Sequence, residues 1–183
     1  MTAGPARTPN RRQDELNAEF RSALYDDNIL DVYVDVDGIM RGKAGKFMNE
    51  YNVQTIKAGL TYFHDNITGI PIRFVDTEDK SELSIHKIDP APASGFERWG
   101  FSSAVKGLVH SKGGQDLNLY FEGGNGSLER TNHVIYHEMA HIFGAYELAR
   151  PFDYDSSQTV MGYQFNGFHG FTASDDAFFN SIY

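Results

Sequence analysis

Residues 134–147 read VIYHEMAHIFGAYE, and no other stretch restricts the chain so much. His137 and His141 are four apart, with Glu138 behind the first and Gly144 three after the second. On a helix the two histidines lie ~40° apart around the axis and about 6 Å along it. Both imidazoles can therefore converge on one ion at about 2.0–2.1 Å, the zinc–nitrogen distance. Glu138 points off that line, where it can hydrogen-bond a water on the metal instead of the metal itself. The pattern divides two jobs: histidines hold the ion, and the carboxylate takes the proton of the water. The helix carrying them is predicted over about 128–143 and ends near Gly144, a left-handed C-terminal cap.

Two histidines leave a tetrahedral zinc one protein ligand short of the usual three plus water. His133 lies four before His137, but it is about 12 Å along the axis from His141, too far to share an ion. It reads as a helix-start or surface residue. If the helix breaks at Gly144, the chain turns back and brings Glu147 within reach. Asp153, Asp155 and His169 are the other candidates for this third position.

The segment HEMAHIFGAYE resembles the long zinc signature of the metzincin metallopeptidases, HExxHxxGxx followed by a third ligand that is usually His and sometimes Asp. Met161, fourteen residues after Glu147, lies in TVMGY (159–163), which is similar to the methionine turn beneath the metal in that family. The final ASDDAFFNSIY resembles its closing helix. Together these cover about residues 29–183. Glu147 departs from the pattern by placing Glu where the family has His or Asp. Zinc accepts a carboxylate beside two histidines, although a charged ligand makes the ion less electrophilic.

The resemblance implies a zinc-dependent endopeptidase, secreted, acting as a monomer on protein or peptide substrates. In it Glu138 is the general base, and His137, His141 and Glu147 hold Zn2+. Met161 packs under the histidines and is not a ligand. Tyr163 matches a tyrosine that serves in some of these families as a displaceable ligand and oxyanion stabiliser, although with ten tyrosines in the chain ordinary packing also accounts for it. Related enzymes often carry Ca2+, for which GGNGS (123–127) and FDYDSSQ (152–158) supply oxygens without EF-hand spacing. Two other readings stand beside the peptidase: a catalytically silent zinc- or peptide-binding domain of the same fold, and an unrelated globular domain with a chance motif.

The rest of the chain fits one catalytic domain. At 183 residues it is long enough for a single core. Residues 1–28 are polar, carry Pro5 and Pro9, and read as a flexible lead or pro-segment remnant. Their first twenty residues lack the apolar core of a secretory signal. Strands are predicted at 29–37, closed by a turn at Asp37-Gly38, and at 70–77, 82–89 and 116–122, with a short one at 99–105. Ile56, Leu60, Phe63 and Ile67 form a helical stripe stopped by Gly69 and Pro71. A last short helix is capped by Thr172 or Ser174. The expected class is α+β: a twisted, mixed, mostly parallel sheet with helices on one face and a small irregular C-terminal part. An extended peptide is expected to add to an edge strand, the one at 99–105.

Composition removes other chemistries. With no cysteine, disulfides, thiolate metal sites and thiol nucleophiles are excluded. A net charge of −9 and no basic stripe argue against nucleic acid or an anionic membrane as partner. No apolar run reaches the ~18 residues of a membrane span, and no GxSxG elbow is present.

Overall fold

The computed structural model describes residues 27–42, 46–88, 107–111, 117–122, 127–145, 158–163, 167 and 170–180. Nearly all of the predicted N-terminal lead, the predicted strand at 99–105 and both candidate calcium loops except Ser127 and Gln158 lie outside these residues.

Strand β1, Leu30–Val34, forms within the predicted strand, with every residue but Tyr33 buried. It ends earlier than expected, because Asp35 caps a short helix, α1 (Val36–Arg41), by accepting the Gly38 N–H at 2.8 Å. Asp37-Gly38 is thus the first turn of a helix and not a turn closing a strand. Any Cβ at Gly38 would run into the Asp35 carboxylate, so glycine leaves room for the cap.

Helix α2, Lys46–Phe63, carries the apolar stripe, with Ile56, Leu60 and Phe63 fully buried. It widens into one π-helical turn, His64–Thr68. Gly69 stops it in the left-handed conformation (φ 63°), its N–H donating to the His64 carbonyl. β2 follows as only three paired residues, Ile72–Phe74, against a prediction of 70–77. Among the described residues it lies at the sheet edge with one partner, and its side chains are half-buried or exposed, so burial does little to extend it.

A single 3-10 turn, Glu78–Lys80, leads into β3, Leu83–Ile88. Strands β4 (Gly107–Ser111) and β5 (Leu117–Glu122) come next, then α3 (Leu128–Ile142) and α4 (Ala173–Phe179). The fold is α+β, as expected. Among the described residues five strands form one sheet, in the order β2-β1-β3-β5-β4, parallel throughout except for the antiparallel β4–β5 pair.

Strand periodicity divides the sheet into two faces. Leu30, Val32, Val34, Leu83, Ile85, Leu117, Leu119, Phe121 and Val109 enter one buried cluster with Ile56 and Leu60 of α2 and Ile135 and Met139 of α3. Phe63 of α2 stacks on Phe143 at 3.9 Å between ring centroids and meets Phe179 of α4 edge-on at 5.0 Å. This aromatic packing ties the end of α3 and the last helix to α2. No helix among the described residues is long and apolar enough to cross a membrane.

Candidate metal centre

Helix α3 starts where its sequence says it should. Ser127 caps it by accepting the Arg130 N–H, and the stripe of Ile135, Met139 and Ile142 faces the core. His133, His137 and His141 then follow one another at four-residue steps along the helix.

The helix ends in a Schellman motif. Gly144 adopts φ 108°, its N–H donates to His141 O at 3.2 Å, and the Ala145 N–H donates to Ala140 O at 2.8 Å. That reversal returns the Ala145 carbonyl to the helix, where it accepts from His141 Nδ1 at 3.0 Å. The predicted glycine break therefore does more than end the helix: it supplies the acceptor that orients a histidine.

His137 is held from the other side. Its Nδ1–H donates at 3.0 Å to the carbonyl of Val160, in the TVMGY turn. A carbonyl oxygen only accepts, so the hydrogen of each imidazole sits on Nδ1 and the lone pair of the neutral ring is on Nε2. The two rings stand at 90° with centroids 4.8 Å apart. A backbone carbonyl on Nδ1 is how proteins fix the tautomer and orientation of a metal-binding imidazole, so this pair fits a zinc ion.

The Val160 carbonyl also accepts from a third ring. His133 Nε2–H donates to it at 2.9 Å. His133, in the second turn of the helix, is 7% exposed, so it is not the surface residue that its sequence position allowed. Burial pushes its pKa below the ordinary histidine value, only partly opposed by the bond to Val160.

The turn is pinned in turn by α4. The Asp175 carboxylate accepts the Val160 N–H at 3.1 Å and the Thr159 hydroxyl at 2.6 Å. It also accepts from the Thr172 N–H at 2.8 Å, completing a capping box in which the Thr172 hydroxyl accepts from the Asp175 N–H. Met161 is buried, as expected of a residue that packs. Tyr163 is half exposed, and its ring lies 5.2 Å from that of His137.

Glu138 is 8% exposed and turns toward β4, where its Cγ and carboxylate lie against Gly107. His137, His141 and Tyr163 are thus brought together, with Glu138 beside the edge strand. Glu147, Asp153, Asp155 and His169 lie outside the described residues. Among the described residues no three His, Asp or Glu side chains form a complete ligand set.

Sequence reasoning missed four contributors: His133, Gly107, Asp175 and the carbonyl of Val160. The Thr172-x-x-Asp175 capping-box pattern was the available signal for Asp175, and the second four-residue histidine step was the one for His133. No protein-family model matches this sequence, and no curated protein is significantly similar to it.

Proposed function

We propose that this chain is a zinc-dependent endopeptidase of the metzincin type, secreted, cutting extended segments of protein substrates. One observation carries the reading: the Nδ1–H groups of His137 and His141 both donate to backbone carbonyls, which puts the lone pair of each ring on Nε2, the arrangement that a metal-binding imidazole needs. The acidic residue of the pattern follows directly on His137, and TVMGY provides the carbonyl that orients His137.

His137 and His141 would hold the ion, with Glu147 as the third protein ligand. Zinc bound there supplies Lewis-acid polarisation of the scissile carbonyl and lowers the pKa of water at the site. Glu138 takes the proton of the attacking water and passes it to the leaving nitrogen. Tyr163, beside His137 and open to solvent, donates its phenolic hydrogen to the oxyanion as it develops. The last strand of the described sheet, β4, takes the part expected of residues 99–105: an extended peptide pairs along its outer edge.

Glu138→Ala tests the reading. The variant should keep one zinc per chain by elemental analysis while cleavage of an unfolded protein falls at least ~100-fold, the usual share of a general base. Undiminished cleavage would remove Glu138 from that role. A zinc-loaded wild-type protein that cuts nothing would leave a silent metal-binding domain.

A further inference from the structure

We infer that Gly107 is a positioning residue: the missing side chain at the start of β4 is what lets the Glu138 carboxylate lie against the edge strand. This rests on the reading of Glu138 as the base.

Gly107 is an unusual choice for its place. It pairs with Phe121 of β5 in a regular antiparallel ladder, and its φ lies outside the left-handed region, so its backbone suits any residue. A glycine inside a strand weakens it and marks close approach of another group. Here that group is Glu138. An ideal Cβ at position 107 would stand 2.5 Å from Glu138 Cγ, 2.5 Å from Oε1 and 2.8 Å from Cδ. Gly107 shares its side of the sheet with Val109, which packs into the core that α3 covers, so the added atom would point at the helix.

The contact with Cγ decides the matter. Swinging the carboxylate tip relieves Oε1 but not Cγ, whose place is set by rotation about the Cα–Cβ bond. Relief needs a new rotamer at Glu138 or separation of β4 from α3. Either moves the carboxylate from the strand edge where the peptide is to pair. His137 and His141 would stay, because the carbonyls of Val160 and Ala145 hold them and Glu138 does not. A methyl group at position 107 should therefore separate the two jobs, leaving the metal ligands in order and displacing the base.

The test is a double-mutant cycle with Gly107→Ala, Glu138→Ala and the pair, read first as urea midpoints of the metal-free protein. Gly107→Ala should lower the midpoint in the wild-type background and leave it unchanged or raised with Glu138→Ala, where the clashing atoms are gone. Additive shifts would overturn the inference whether or not the protein is an enzyme. If Gly107→Ala alone does not fold, recovery of folding in the pair supports the inference, and failure of both overturns it. In the zinc-loaded protein, Gly107→Ala should keep its zinc affinity within about twofold and lose ~100-fold in kcat with little change in KM. An unchanged kcat sinks the inference. A wild type that cuts nothing sinks the proposed function and leaves the stability cycle to decide the Gly107–Glu138 contact.

Discussion

Two imidazoles sharing one carbonyl is the least expected feature of the centre at the scale of single residues. Val160 O accepts from His137 Nδ1–H and from His133 Nε2–H, so His133 helps fix the group that orients its neighbour. Spacing alone places His133 too far from His141 for a common ion, but spacing carries no information on depth. Whether a residue near a helix start is covered depends on what the later chain lays over it, and here that is the turn at Val160. Burial makes His133 costly to charge and depresses its folded pKa. The sign of the pH effect follows. As pH falls below the unfolded value of about 6.5, the unfolded chain binds a proton that the folded chain still refuses. Stability is thus intact above that value and is lost as pH drops toward the folded pKa, at no more than about 1.4 kcal/mol per pH unit for one proton. Urea midpoints of the metal-free protein should decline from pH 7.5 to 5.5, and His133→Leu should flatten the decline. An equal slope in that variant would exclude His133 as its source.

At the scale of elements, the legible parts were those whose signal is local. The stripe Ile56, Leu60, Phe63 gave α2, alternation gave β1, runs bounded by a turn or loop gave β3 and β5, and Gly144 gave the end of α3. β4 was not predicted, because GLVHS has little alternation and lies in a stretch rich in glycine and serine. It is a strand through its antiparallel pairing with β5, a long-range cause. Helix α1 was hidden by an Asp-Gly pair that reads as a turn until Asp35 is seen to cap it. The short α4 matters beyond its length, since Asp175 joins its N-cap to the turn that orients His137. Asp175→Ala would remove the acceptor from three donors, the Thr159 hydroxyl and the Val160 and Thr172 N–H groups, while the Thr172 hydroxyl keeps the Gln158 carbonyl. With the buried Val160 donor costing roughly 1–3 kcal/mol when unmet, and the half-buried donors of Thr159 and Thr172 adding less because water reaches them, the net loss should be about 3 kcal/mol. Thermal unfolding should show a Tm lower by on the order of 10 °C. A loss under about 1 kcal/mol would mean that the turn is held by other contacts.

For the whole molecule, the question is whether the metal builds the fold or occupies one already built. The third protein ligand was the part least legible in the sequence: spacing favours Glu147 over Asp153, Asp155 and His169, but the choice depends on the path of the chain after Gly144. The core has no such dependence. Leu30, Leu83, Ile85, Leu119, Phe121, Leu60 and Ile135 are fully buried in one cluster of sheet and helices, each contributing roughly 2 kcal/mol of apolar burial without any ion. The carbonyls of Val160 and Ala145 each hold one of the His137 and His141 rings. The chain stripped with a chelator should therefore keep its far-ultraviolet circular dichroism and a cooperative unfolding transition. Zinc should then add stability by mass action, about 2.7 kcal/mol when free zinc is a hundredfold above its Kd. For a domain of this size that is on the order of 5–10 °C in Tm. His141→Ala should keep the fold and lose most of this increment. If chelation instead unfolds the protein, zinc is a structural element of the domain. If zinc leaves Tm unmoved in both chains, the paired imidazoles do not form a metal site.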